Sequence, residues 1–436
     1  NETGELFERV IMERIRQHLE NEGPNLHENQ YGFRAGRSTI DAIARVRNII
    51  KTAIGQGGVA LAVSVDIANA FNALPWGAIK EGLARLRLPN DIRKVIASYL
   101  TGRRTEYTVR DGTKSRTIER GVPQRSVLGP LLWNIGYDTV VSGTVPEGVH
   151  VTCYADDSLL VACSRGWTRA IRLMEAGLEA IIRKINGLGL EMATGKLEAT
   201  WFHGLPANRS PPKAWVAVKG DRIPVGPTIK YLGVVLDPRM NFEKHFSQTA
   251  PRVERAALSL RRILPNIGGP KVSIRKLYTT VIQAMMLYGA PIWADGKITS
   301  RKNIKTMRST QRRMAIRVIR AYRTVSWEAA LILAGMIPFD HTARAYAKIY
   351  WGRRSNNNSP QEQEQTTEQE GLREKAMAQA QKEWKEELLK SGARAKRVVA
   401  AILPSWDEWM ARGPDTLTFR ITQVVRQPDT VASVST

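Results

Sequence analysis

The sequence predicts an α+β fold, and three observations carry that expectation. Apolar residues recur at helical spacing over long stretches, as at Leu6, Val10, Ile11, Ile15 and Leu19. Apolar runs of strand length interrupt them, over residues 59–65 and on either side of Tyr154-Ala155-Asp156-Asp157. Beyond Asp237 the pattern turns helical and basic. Hydrophobic residues make up 43% of the 436, which excludes end-to-end disorder. Two cysteines, Cys153 and Cys163, exclude a disulfide scaffold and a cysteine-rich zinc module, and both read as core residues. No apolar run reaches 18 residues, so no membrane-spanning helix is expected. The chain opens at Asn1 inside a helical pattern and carries no signal peptide, which reads as a piece of a longer open reading frame.

The elements follow in order. Gly23-Pro24 closes the first helix. A loop over 31–38 leads to a helix that Ser38 or Thr39 can cap, with Ile43, Val46, Ile50 and Ile54 on one face. After a glycine stop at 55–58, residues 59–65 read as a buried strand that delivers Asp66 at its end. Helices over 76–86 and 91–100 precede a hairpin around Asp111-Gly112. A turn over 121–125 and a helix over 129–140 come next, then the hairpin that has Asp156 and Asp157 at its tip. A long helix with Ile171, Met174, Leu178, Ile182 and Ile185 on its face follows. Residues 230–236 read as one strand, with Tyr231-Leu232-Gly233 marking a close backbone approach. Met285 and Met286 read as core of the helical part. Residues 355–371 are polar and read as a flexible linker, and the remaining chain as a charged helix over about 372–389 and a weakly ordered tail to 436.

The formal net charge is +24, and it is uneven. Between Arg239 and Arg323 stand 19 Lys+Arg and 3 Asp+Glu, a local excess of +16. Such a stripe on folded helices suits a phosphate backbone better than a merely solubilising surface. The six histidines show no metal-ligand spacing, and Gly55-Gln-Gly-Gly lacks the strand and the Lys-Ser/Thr of a phosphate loop.

The carboxylates carry the chemistry. Adjacent aspartates at a hairpin tip repel unless a cation lies between them, and Asp-Gly or Asn-Gly would serve a purely structural turn. With Asp66 alongside, three carboxylates offer the oxygen ligands that Mg²⁺ prefers, the arrangement that two-metal phosphoryl transfer uses.

Six boxes then resemble, in order and spacing, those of reverse transcriptases of the non-LTR retrotransposon branch. Tyr154-Ala-Asp-Asp157 is similar to the catalytic box, and Ala62-Val-Ser-Val-Asp66-Ile-Ala-Asn-Ala-Phe71 to the first aspartate motif. Gly121-Val-Pro-Gln-Arg-Ser-Val-Leu-Gly-Pro-Leu-Leu-Trp133-Asn134 resembles the template grip, and Gln30-Tyr-Gly-Phe-Arg-Ala-Gly-Arg-Ser-Thr-Ile-Asp41 the finger block. Gly189-Leu-Glu-Met-Ala-Thr-Gly-Lys196 and Tyr231-Leu-Gly-Val-Val-Leu-Asp237 resemble two further palm motifs. A weaker likeness reaches Trp351, and the stretch from Trp327 to Phe339 looks most like insect members.

The resemblance implies a right-hand polymerase fold: an antiparallel palm sheet with helices and fingers over 1–237, and a basic helical thumb over 238–354. It implies RNA-directed DNA polymerase activity, with two Mg²⁺ ions, or Mn²⁺ as a substitute, and dNTPs, an RNA template and a DNA primer. Asp66, Asp156 and Asp157 match the catalytic aspartates, Asp66 and Asp156 as the direct ligands, with the main-chain carbonyl of Ile67 completing one shell. Phe71 matches the aromatic that clashes with a ribose 2′-hydroxyl. Gln124 would meet the templating pair or the nucleotide. Arg34 and Arg37 would grip the triphosphate, since a guanidinium takes phosphate oxygens bidentately. Lys196 would give a proton to pyrophosphate, and Lys305, Arg308, Arg312 and Arg313 would contact the duplex backbone. The family context implies insertion into host genomic DNA, action in the nucleus, an element ribonucleoprotein also in the cytoplasm, and no membrane.

Some residues depart from the pattern. Arg125 stands where the family has glycine, and Leu197 where it has a small hydroxyl residue. The Arg-Pro-Ile finger block, the amino-terminal endonuclease and the Cys/His zinc segment have no counterpart in this sequence. The alternative expectation is therefore a catalytically inactive, degenerate copy that only binds nucleic acid.

Overall fold

A computed structural model of the chain describes residues 2–110, 112–206, 208–261, 271–294, 300–355, 362–390 and 396–412. The chain divides into two compact units, Asn1–Arg239 and Met240–Thr436.

Among the described residues the strands all lie in the first unit: β1 (Val59–Val65), β2 (Arg104–Val109), β3 (Gly112–Thr117), β4 (Val149–Tyr154), β5 (Asp157–Ser164), β6 (Glu198–Phe202), β7 (Trp215–Val218), β8 (Asp221–Gly226), β9 (Ile229–Tyr231) and β10 (Val234–Leu236). Six of them form one sheet in the order β4-β5-β1-β6-β8-β7. β1 is interior to that sheet, which is why its sequence is a continuous apolar run rather than an alternating one. Its neighbours β5 and β6 are both antiparallel to it. The sheet is mixed, not purely antiparallel as expected, because the β7–β8 hairpin returns β8 parallel to β6.

The helix Thr39–Gly55 starts on a full capping box, Ser38 with Asp41, and packs against β1, β4 and β5. The helix Trp167–Gly187 also covers β1 and β5. Asp138, 2% exposed, lies on the helix Gly129–Val141 and bonds both Arg85 Nη2 at 2.6 Å and the His27 amide at 2.7 Å. That pair ties the finger-block loop to the helix behind the template grip. The 230–236 segment is not one strand. Leu232 and Gly233 take left-handed backbone, at φ 46° and 83°, and turn it into the hairpin β9–β10. Cys153 is buried, whereas Cys163 is only partly so.

The described second unit is helical: Glu243–Arg261, Val272–Met286, Ala290–Trp293, Arg301–Val318, Trp327–Ala334, Phe339–Ser355, Glu362–Lys390, Lys396–Ile402 and Trp406–Ala411. Met286 is fully buried, as expected of a core residue. Two sequence expectations change here. The stretch read as linker is helical from Glu362, while 356–361 lie outside the described residues. Its helix continues to Lys390 and packs along Phe339–Ser355, burying Ala376 and Ala380 against Ala345 and Ile349. The polar composition of its first turns hides an apolar seam that opens only further on. The tail is also structured over 396–412. Val398, Val399, Ile402 and Trp406 join a core with Trp384, and the Trp384 and Trp406 rings meet edge to face at 5.1 Å. Residues 391–395 and 413–436 lie outside the described residues.

Candidate active site

Three backbone devices bring the site together. β1 pairs with β5 so that Val65 faces Ser158, which sets Asp66 level with the start of β5. β4 and β5 pair up to Tyr154 and Asp157, leaving Ala155-Asp156 as a two-residue turn with Ala155 at φ 59°. The 191–196 segment then bonds along the end of β1. The Ala68 amide donates to the Glu191 carbonyl and the Ala193 amide to the Asp66 carbonyl, both at 2.9 Å. These two bonds flank Ile67, which pairs with Met192, so the bridge does not use the Ile67 carbonyl. A single 3₁₀ turn, Thr194–Lys196, places Lys196 Nζ 2.8 Å from Asp66 Oδ2.

The electrostatics follow from this crowding. Burial raises the Asp156 carboxyl above its usual range; Asp66 raises it further, and a backbone bond and Lys196 offset only part of the effect. Burial also raises Asp157, and the charges of Asp156 and Asp66 add to it. The hydrogen bond to Asp66 holds the exposed Lys196 ammonium above its usual range. Like charge is thus concentrated at the tip, with one ammonium answering it. The donor set is all oxygen, as a hard divalent cation requires.

Beside the aspartates, the backbone of the template-grip loop is bonded to the segment after Asp66. The Gly121 amide donates to the Leu74 carbonyl and the Val122 amide to the Phe71 carbonyl, both at 2.7 Å. A Cβ at Gly121 would lie 2.8 Å from Asn72 Cα, so this approach requires glycine. Phe71 is partly buried between Phe33 at 6.0 Å and Trp133 at 5.0 Å. Gln124 Nε2 donates to Asn72 Oδ1 at 3.2 Å. A cleft of about 680 Å³ opens there, lined by Asn72, Trp76, Arg103, Arg116, Arg120 and Gln124. Arg125 takes φ 64°, the left-handed region that glycine favours.

Other expected residues are used differently. Arg34 turns inward. Its guanidinium bonds the carbonyls of His27 at 2.8 Å and Leu26 at 3.2 Å, and Asn25 Oδ1 at 3.2 Å. Burial, with Arg37 close by, lowers its pKa. These bonds brace its own loop. Arg37 bonds the Glu28 and Gln30 carbonyls and stacks over Tyr31 at 5.1 Å.

In the second unit, Arg308 is no surface cation: its side chain is 16% exposed and makes paired bonds to both Asp340 and Glu387, at 2.6–2.9 Å. Arg312 donates to the Val325 carbonyl at 2.7 Å and to the Arg323 carbonyl, so it closes the following loop. Arg313 is exposed and pairs with Glu254 at 2.6 Å. Lys305 is exposed. Among the described residues, Asp340, His341 and Glu387 could together offer metal ligands within 4.8 Å of one another, but the Arg308 guanidinium already bridges the two acids there. The cluster reads as a salt-bridge knot.

Sequence reasoning passed over Gln30 and Asn134, both 1% exposed and both bonded into the site's backbone. The one signal for them was indirect: a left-handed turn without glycine or asparagine at Ala155 needs a partner from elsewhere.

Residues 3–236 match the family model described as reverse transcriptase (RNA-dependent DNA polymerase). The chain is 28% identical over 354 residues to a putative 115 kDa protein in type-1 retrotransposable element R1DM of Drosophila melanogaster, covering 80% of this chain and 33% of that protein. It is 27% identical over 327 residues to the RNA-directed DNA polymerase from mobile element jockey of the same organism, covering 72% of this chain and 34% of that one. The chain thus spans about a third of the length of these relatives. Apo telomerase from Candida tropicalis is similar over 92% of this chain and 60% of its own, at 11% identity and a TM-score of 0.42. With more than half of its residues inside the family model, the chain belongs to the reverse transcriptase (RNA-dependent DNA polymerase) family and is homologous to the enzymes of insect non-LTR retrotransposons.

Proposed function

We propose that this chain performs the polymerase step of a non-LTR retrotransposon, adding deoxynucleotides to a DNA primer 3′-hydroxyl on an RNA template. The observation that carries this reading is the convergence of Asp66 with the Asp156–Asp157 turn, whose carboxyls burial and mutual repulsion raise. Asp66, Asp156 and the Ile67 carbonyl would hold Mg²⁺, with Asp157 beside them. Bound Mg²⁺, or Mn²⁺ in its place, makes a hydroxyl easier to deprotonate and neutralises charge on the triphosphate.

The chain's own residues do the rest. Lys196 carries its proton at Nζ beside Asp66, where it can serve the leaving pyrophosphate. Phe71, backed by Trp133, forms an apolar wall that leaves a 2′-hydroxyl without a partner. Gln124 and the cleft of basic residues around it would receive the template. The surrounding biology proposed here is insertion into host genomic DNA in the nucleus, with the element's ribonucleoprotein also passing through the cytoplasm.

Primer extension on an RNA template tests this. The parent chain should extend with dNTPs and Mg²⁺, and Asp156→Asn should not. Extension that survives in Asp156→Asn sinks the metal assignment. Phe71→Ala should let ribonucleotides compete, read as a lower dNTP-to-rNTP incorporation ratio in a mixed-nucleotide assay. A second reading, nucleic-acid binding without catalysis, is favoured by one observation, the bulky Arg125 on left-handed backbone next to Gln124.

A further inference from the structure

We infer that Gln30 is a positioning residue for Asp156: its side-chain amide clasps both polar backbone groups of Ala155 and so fixes where the next carboxylate stands. This rests on the assignment of Asp156 as a metal ligand. Gln30 is 1% exposed. Its Oε1 accepts from the Ala155 amide at 2.9 Å and from the Gly32 amide at 3.0 Å, while its Nε2 donates to the Ala155 carbonyl at 3.2 Å. The amide thus does for Ala155 what a neighbouring strand does for a ladder residue.

The need for it is plain from the turn. Ala155 is 4% exposed and sits at φ 59°, in a region that costs a residue with a Cβ something to enter. β4 is the edge of its sheet, so no further strand of that sheet supports the turn from that side. The finger-block segment supplies the support. The Tyr31 amide donates to the Cys153 carbonyl at 2.8 Å, and the Cys153 amide to the Asn29 carbonyl at 2.9 Å, in a short parallel bridge. Gly32 then passes so close that a Cβ would lie 2.3 Å from the Ala155 nitrogen. Asn134 Nδ2, on the helix behind the template grip, donates to the Gly32 carbonyl at 2.8 Å. Finger block, aspartate turn and grip helix are therefore joined through two buried side-chain amides, Gln30 on Ala155 and Asn134 on Gly32. A carboxylate on a bare, strained turn would be free to swing; here its preceding residue is held at both ends.

Direct Mn²⁺ titration of the full chain by calorimetry tests this without relying on turnover. The parent and Asp156→Asn establish the site. Gln30→Met keeps the volume and removes the three bonds; Gln30→Asn keeps an amide that is one methylene too short. Loss of supporting contacts behind a metal ligand typically weakens affinity about tenfold or more, and that is the change expected in both variants, measured well below their unfolding midpoints. An unchanged Kd in folded Gln30→Met or Gln30→Asn overturns the inference and leaves the polymerase reading standing. Loss of the fold in both also overturns it, in favour of a purely structural role. A parent that binds no Mn²⁺, or whose binding survives in Asp156→Asn, overturns the metal site itself and this inference with it.

Discussion

Two non-glycine residues, one in the aspartate turn and one in the loop after Gln124, carry conformational strain. Ala155 and Arg125 both sit in left-handed backbone, at φ 59° and 64°. For a residue with a Cβ this costs roughly 1–2 kcal/mol, and such strain concentrates where a site needs an exact geometry. Ala155 has its clasp. Arg125 lies in the loop between Gln124 and the grip helix, at a position whose backbone suits glycine. Arg125→Gly should therefore stabilise the chain by about 1 kcal/mol, raising the unfolding midpoint by a few degrees in a thermal scan. If Arg125 also crowds the template, the same change raises primer extension. A midpoint that falls would show that the guanidinium contributes more than the strain costs. The three aspartates were legible from the sequence because carboxylates at strand ends and in a turn leave a spacing pattern. Gln30 was not, because a side chain that bonds distant backbone leaves none. The bonds of Arg34 were illegible for a related reason: sequence places a guanidinium in a loop but does not say that it reaches that loop's own carbonyls.

At the scale of elements, the same limit explains Arg308. A basic helix face over Arg301–Val318 suggested a row of equivalent cations, yet Arg308 turns to Asp340, 3% exposed, and to Glu387 from the helix Glu362–Lys390. The knot joins three helices, and the third is the one whose first turns looked like linker. Of the main sheet, β1 and the β4–β5 hairpin were legible, since apolar runs of fixed length set them, whereas the short strands β6, β7 and β8 were not read. Burial pushes the Glu387 carboxyl up, but bonds from His341 and Arg308 outweigh it and hold it at about 2, against 4.5 when free. A depressed carboxyl contributes stability that is fully present above about pH 4.5 and is lost as pH falls towards 2. The unfolding midpoint should therefore drop between pH 5 and pH 2.5, as read by circular dichroism at each pH. Glu387→Gln should be less stable at pH 7 and show a shallower drop. A Glu387→Gln profile parallel to the parent's would mean that the knot does not govern acid stability. Arg308→Met, which leaves Asp340 buried without its guanidinium, should cost about 3 kcal/mol or more at neutral pH.

For the whole molecule, the +24 charge divides by use once the side chains are placed. Arg34, Arg308 and Arg312 spend their charge on carbonyls and acids within the chain. Arg252, Arg255 and Lys305 are exposed in the second unit, and remain available to a polyanion. A phosphate contact releases a condensed counterion, so each one adds about 0.7–0.9 to the slope of log Kobs against log salt. If the second unit binds the nucleic-acid backbone, affinity for a primer–template duplex should fall steeply as salt rises. Neutralising Arg252, Arg255 and Lys305 together with Gln should flatten that slope by about 2–3, with little change in the unfolding midpoint. Arg312→Gln should behave in the opposite way, lowering the midpoint by loosening the loop at Val325 while leaving the slope nearly as it was. Fluorescence anisotropy across a salt series, run beside thermal unfolding for each variant, separates the two kinds of arginine. An affinity indifferent to salt would remove backbone binding from the second unit. A slope that fell for Arg312→Gln but held for the triple variant would move the contact surface away from Arg252, Arg255 and Lys305.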